Sequence, residues 1–170
     1  IGFMLLAIMS YQYMSEGTIF FYLIIYLITT FGVFSVILNL RTSEGEITLL
    51  TGLNGLKASS RSKAISMLVF LFSLAGIPPF AGFFAKFFIL SASINEGFYI
   101  LSVIAVISSV IAAFYYLSVI KNMFFNESDT ELLLDNNRLS SFIFISSAII
   151  VTLFFFYPDP LINLVDSLFK

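Results

Sequence analysis

The chain has 170 residues, 59% of them hydrophobic and only 11% charged, with a formal net charge of −2 and a mean hydropathy of +1.04. A soluble domain of this size leaves too much surface in water to hide that composition, so lipid or partner subunits must act as its solvent. The near-neutral balance, with no basic run laced with aromatics, excludes nucleic acid as a partner. The sequence contains neither cysteine nor histidine, which removes disulfides, thiolate nucleophiles, zinc and haem ligation and histidine triads together. No metal site is expected, and any proton chemistry falls to Lys, Asp, Glu or Tyr.

A bilayer core of about 30 Å calls for about 20 apolar residues of helix, and runs of this kind are taken here in chain order. Residues 1–14 form a partial run that reaches only about two-thirds of the way across at about 1.5 Å per residue, so its beginning is expected to be missing. Residues 18–40 are a full span, closed by Arg41 and a polar loop that holds Gly52, Asn54 and Gly55. Residues 63–94 are long but interrupted at 76–80 by Gly76-Ile77-Pro78-Pro79. Residues 98–120 and 139–157 complete the set, and the whole of 1–170 reads as one membrane domain.

Counting 63–94 as one broken span places Arg41, Lys57, Arg61, Lys63, Lys121 and Arg138 on one side of the membrane and leaves only Lys170 on the other. Two separate spans would each be too short and would split the same charges. The fold class is therefore all-α, a polytopic transmembrane helix bundle with one discontinuous helix, its basic side facing the cytoplasm or matrix. Asp159 and Pro160 suit the start of a further helix over 160–169, with Leu161, Leu164, Val165 and Leu168 on one face, which reads as an interfacial helix. The stretch 126–137 carries Glu127, Asp129, Glu131 and Asp135 but lacks the glycine of a calcium loop and reads as a solvated loop. Twenty-two Phe and no Trp, with abundant Ile, Tyr and Asn, is the bias that AT-rich codons produce and points to an organellar gene. No removable targeting segment is expected.

Lys86 stands seven residues past Pro79, inside an apolar segment, while the ten acidic residues lie in loops or near span ends. A lysine near the bilayer centre costs roughly 2.5–3.5 kcal/mol on insertion, so it calls for a cavity, a partner or a function. The alternative is a side chain that snorkels to the interface with no role. Pro78 and Pro79 strip hydrogen bonds from the preceding turn, and Gly76 and Gly82 permit backbone shapes closed to other residues. The helix is expected to open there, and the freed backbone groups need polar neighbours or water. The second half-helix would begin near Phe80 with a partial positive charge, which together with desolvation acts against a permanent ammonium on Lys86. A lysine so placed can take up and release a proton in turn. Ser73, Tyr115 and Tyr116 are candidates to line its path, and Ala105, Ser109 and Ala113 form a small-residue stripe where a helix could pack closely.

The segment Ser73-Leu74-Ala75-Gly76-Ile77-Pro78-Pro79-Phe80-Ala81-Gly82-Phe83-Phe84-Ala85-Lys86-Phe87 resembles the signature of the antiporter-like subunits of respiratory complex I, and most of all their subunit 2 branch. Ile1 to Leu6, Phe21-Tyr22-Leu23 through Gly32-Val33-Phe34, and Ala113-Phe114-Tyr115-Tyr116-Leu117 agree in order and spacing. The likeness covers nearly the whole chain but only the family's C-terminal part. It implies that Lys86 transfers protons on a discontinuous helix, and lysine rather than glutamate there argues against the subunit 4 branch. It further implies that this chain carries no cofactor, with FMN, iron–sulfur clusters and ubiquinone elsewhere in the complex. The expected partners are other membrane-arm subunits, a second chain that supplies the absent N-terminal half, and lipid, in the mitochondrial inner membrane. The competing expectations are a component of a multisubunit cation/proton antiporter, or a structural membrane subunit without proton transfer.

Overall fold

The computed structural model describes residues 2–13, 16–42, 45–47, 49–127, 132–134 and 138–168. In chain order these form α1 (Gly2–Met9), a 3₁₀ turn (Tyr11–Tyr13), α2 (Glu16–Ile37), β1 (Leu40–Thr42), β2 (Gly45–Glu46) and a second 3₁₀ turn (Leu50–Leu53). They continue with α3 (Leu56–Ser59), α4 (Arg61–Ala75), α5 (Ala81–Asn95), α6 (Tyr99–Phe125), β3 (Leu132–Leu134), α7 (Arg138–Phe156) and α8 (Asp159–Leu168). Helices α2, α6 and α7 are long and apolar enough to cross a membrane. The 15-residue α4 and α5 each reach only about 22 Å at about 1.5 Å per residue.

The bundle is organised around α2, which packs against α4, α5, α7 and α8. Its core falls into two clusters, one on each side of the gap between α4 and α5. The first joins Val36, Leu56, Met67, Phe70, Met123 and Phe144, so α2, α3, α4, α6 and α7 meet there. The second joins Leu6, Phe21, Ile25, Ala81, Ala85 and Ile89, from α1, α2 and α5, with Phe154 of α7 and Ile162 of α8 packed on it. Gly32 permits the close crossing of α2 and α4, because a Cβ there would stand 2.3 Å from Cζ of the buried Phe70 ring.

The connections gather at two ends. At one end β1 pairs antiparallel with both β2 and β3, in register Arg41↔Glu46 and Arg41↔Leu133. The small sheet thus ties the α2–α3 connection to the α6–α7 connection. At the other end the backbone amide of Gln12 donates to a carboxylate oxygen of Glu96 at 3.0 Å, joining the α1–α2 and α5–α6 turns. Tyr11 donates its hydroxyl to Glu16 at 2.8 Å, and the carboxylate beside it pushes the phenol's pKa up.

Several boundaries differ from expectation. Residues 38–40 leave the helical run, since Leu40 enters a strand, and α6 continues past Ile120 to Phe125 because Lys121 and Asn122 are compatible with helix. Leu132–Leu134, expected inside a solvated loop, form a strand because β1 offers its free edge. Asp129, Glu131 and Asp135 of that loop lie outside the described residues, as do Met14 and Lys170. In α8, Ile162 packs on the core while Leu164 is 56% exposed.

Candidate functional site

Helix α4 ends because Gly76 takes a left-handed conformation, φ +81°. The amide of Ile77 then bonds the carbonyl of Phe72 at 2.9 Å and that of Gly76 bonds Ser73 at 3.0 Å, the paired closure of a Schellman stop. Pro78 and Pro79 follow on the surface, and α5 restarts after Phe80. That closure leaves the carbonyls of Leu74 and Ala75 without partners in their own helix.

The second half does not simply continue the first. The opening turn of α5 lies beside the closing turn of α4, with the amide of Gly82 donating to Ser73 Oγ at 3.2 Å. Ser73, expected as a path-lining group, therefore caps α5 from the neighbouring helix by accepting one of its orphan amide hydrogens. Gly82 is already helical, so conformational freedom is not what it contributes. A Cβ at this position would stand 2.0 Å from the Ser73 carbonyl oxygen, and only glycine permits this contact.

The overlap brings Lys86 back to the end of α4. Its stem crosses Gly76, where a Cβ would stand 3.0 Å from Lys86 Cδ. Nζ donates to Leu74 O at 2.7 Å, to Ala75 O at 3.1 Å and to Ser109 Oγ on α6 at 2.8 Å. The face of the Phe3 ring, from α1, lies 5.3 Å away. The two orphan carbonyls thus find a donor, and an amine bonded to two helix-end carbonyls and a serine hydroxyl is turned inward and does not snorkel to the interface. The helix end that meets Nζ is the negative terminus of α4, which favours the ammonium. The helix-end part of the expectation therefore differs, since the side chain extends past the positive start of α5 and reaches the opposite pole, while the burial part stands.

Lys86 is half-buried at the edge of a cavity of about 590 Å³ between α1, α2, α5 and α6. Its polar lining includes Tyr22, Tyr26, Thr29, Ser109 and, as expected from the sequence, Ser73 and Tyr116. Tyr115 is 64% exposed and does not line it, since consecutive helical residues point about 100° apart and only one of the two tyrosines can face inward. Ser109, legible in the sequence only as part of a small-residue stripe, is a direct partner of the amine. Two turns along the same antiparallel seam, the hydroxyls of Ser93 on α5 and Ser102 on α6 bond each other.

A second lysine is also enclosed. Lys63, expected at the start of the broken span on the basic side of the membrane, is 2% exposed near the start of α4 and donates to the Asn39 carbonyl at 3.1 Å. Asn39 Oδ1 in turn accepts from Ser140 at 3.0 Å. Among the described residues, no three His, Cys, Asp or Glu side chains stand together to hold a metal.

The profile of the NADH:quinone oxidoreductase/Mrp antiporter transmembrane family matches residues 1–112, which contain the whole break, Lys86 and Ser109. The chain belongs to that family. NADH-quinone oxidoreductase subunit N of Rhodospirillum rubrum is 42% identical over 132 residues, covering 78% of this chain and 27% of that one. The subunit N of Paraburkholderia phymatum is 47% identical over 111 residues, covering 65% and 23%. In the structure of respiratory complex I from Thermus thermophilus with bound aureothin, one chain superposes with a TM-score of 0.82 at 23% identity, over 95% of this chain and 36% of its own length, a likeness of fold. The chain thus spans 23–36% of the length of these relatives. As a member of the NADH:quinone oxidoreductase/Mrp antiporter family it is a multi-pass membrane protein, all-α apart from the small sheet.

Proposed function

We propose that this chain forms part of a proton-translocating membrane-arm subunit of NADH:quinone oxidoreductase, and that Lys86 is the group on it that takes up and releases the proton. The observation that carries this reading is the pairing of Lys86 Nζ with the two free carbonyls at a helix break, on the edge of a polar-lined cavity. Burying a cation in a membrane protein is expensive and marks a functional site by default. Here the cost is offset by oxygen atoms that a continuous helix would have kept for itself.

Family membership and the subunit N relatives support the assignment to the complex, and lysine at this position supports the subunit 2 branch. The remaining length of those relatives would supply the rest of the proton path, whether on this polypeptide or a second one, against the cavity face of α1, α2 and α6. FMN, iron–sulfur clusters and quinone would then belong to partner subunits, with electron transfer there driving the proton step here. The residue bias toward Phe, Ile, Tyr and Asn supports a mitochondrial inner membrane. The side bearing Arg41, Lys57, Arg61, Lys121 and Arg138 would face the matrix, by the positive-inside rule.

The test is Lys86→Met in the assembled complex, reconstituted in vesicles, with NADH-driven acidification measured against quinone reduction. The reading expects the proton yield on this subunit to be lost with the complex intact. Wild-type proton yield in Lys86→Met refutes it. Membership of the wider family also admits a cation/proton antiporter component, and co-purification with flavin and iron–sulfur subunits separates the two.

A further inference from the structure

The geometry points to Ser109 as the hydroxyl through which the Lys86 proton leaves. The inference rests on the proposed role of Lys86 and adds to it a specific exit atom.

An ammonium has three donors and no acceptor, whereas a neutral amine has two donors and one lone pair. Lys86 Nζ has three acceptors within 3.1 Å, and they are not alike. Leu74 O and Ala75 O are carbonyls, which can only accept. Ser109 Oγ is a hydroxyl, which accepts from the charged amine and can donate to the neutral one. Ser109 Oγ also lies 3.4 Å from Ala75 O, so its own hydrogen has an acceptor while the ammonium occupies one of its lone pairs. The same four heavy atoms therefore satisfy both protonation states without any backbone movement. In the charged state Nζ donates three times. In the neutral state it donates twice, to the carbonyls, and its lone pair accepts from Ser109.

The step between the two states follows from this arrangement. The Nζ–H bond facing Ser109 breaks and a new Oγ–H bond forms. The hydroxyl's original hydrogen turns from Ala75 O toward the cavity, which Ser109 lines, and passes to a water molecule there, which becomes hydronium. The new Oγ–H already points at the Nζ lone pair, so the product is the paired neutral state. The two carbonyls cannot serve as this exit, because a peptide carbonyl has no proton to hand on. The other titratable groups that face the site through the cavity are Tyr22 and Tyr26 from α2 and Tyr116 from α6. Among the described cavity-lining residues α1 and α4 contribute none, α1 presenting the Phe3 ring. A proton on cavity water thus has phenol hydroxyls ahead of it and no carboxylate that would trap it among these residues.

Ser109 is a positioning and relay residue, and its test separates relay from packing. Three variants of the assembled complex in vesicles, Ser109→Ala, Ser109→Thr and Lys86→Met, are compared for proton translocation rate at matched complex content. In Ser109→Ala the rate on this subunit should fall about tenfold, the lower end of what one charge-assisted hydrogen bond is worth. Ser109→Thr keeps the hydroxyl and should recover the rate to within about twofold. Wild-type rates in Ser109→Ala overturn the inference, as do equal deficits in Ser109→Ala and Ser109→Thr, which would mark a packing defect. If Lys86→Met abolishes translocation while Ser109→Ala does not, the relay alone is wrong; if Lys86→Met translocates normally, the underlying role of Lys86 is wrong.

Discussion

The two halves of the broken helix each hold a lysine, and the contrast between them separates burial from the capacity to exchange a proton. Lys63 near the start of α4 is nearly inaccessible and bonds the main chain of the α2–β1 connection through Asn39. Lys86 in α5 is less enclosed, yet it lies beside a cavity and has one partner, Ser109, that can reverse its hydrogen bond. A bond from a cation to a main-chain carbonyl fastens chain segments together, whereas a cation with a reversible partner and open space can also exchange its proton.

The largest effect that would disturb this contrast is expected at Gly82. In Gly82→Ala the Cβ would meet the Ser73 carbonyl at 2.0 Å, a backbone contact that cannot yield, so α5 must move off α4 and draw Lys86 from its carbonyls. Loss of the assembled subunit, or assembly with no proton yield, is the expected outcome on native gels and in vesicles. Next comes Lys86→Arg, which retains a cation but cannot release a proton. It should leave assembly intact and abolish translocation, and normal pumping would erase the distinction from Lys63. Lys63→Met should do the opposite, lowering thermal stability by about 1–3 kcal/mol as a buried carbonyl loses its donor, with proton yield per assembled complex unchanged. Asn39→Ala removes the Ser140 hydroxyl's acceptor and should cost about 1 kcal/mol in the same melt.

The smallest effect concerns Tyr11. Its phenol ionises at a higher pH in the folded chain than its ordinary 10.0, because Glu16 holds the protonated form. The contact is complete below that pH and is lost as pH climbs through the raised folded value, so Tyr11→Phe should differ from the parent below pH 10 and converge with it above. A difference that persists in strong alkali would place its origin elsewhere.

Much of this arrangement could be read from residue order. Gly76, Pro78 and Pro79 forecast the interruption because their effects on the backbone are local, and Lys86 was conspicuous as a charge among apolar neighbours. What escaped was tertiary. Gly82 looked like a second flexible point, but its role is set by a carbonyl nine residues back that only the overlap of the two halves brings near. Ser73 lines the cavity as expected, but its second task, capping α5, arises only from the same overlap. The partner of Lys86 lies 23 residues ahead on another helix, and no periodicity within α5 or α6 pairs them. Lys63 sits among Arg61, Ser62 and Lys57, a context that signals solvent, yet it is buried and bonds the Asn39 carbonyl 24 residues earlier. Strand pairing between Leu40–Thr42 and Leu132–Leu134 joins segments some ninety residues apart, and three leucines in an acidic stretch carry no sign of a partner.

The pairs Lys86–Ser109 and Ser93–Ser102 are seven residues apart on α5 and seven apart on α6. Because the two helices run in opposite directions from a short turn, both pairs form in only one alignment. Sliding either helix by a single residue would break both inter-helix bonds at once, leaving Ser93 and Ser102 only the carbonyls of their own helices and parting the amine from Ser109. The seam therefore works as a vernier, penalising a mis-threaded hairpin as it enters the bilayer, before α7 or any neighbouring subunit has arrived to correct it.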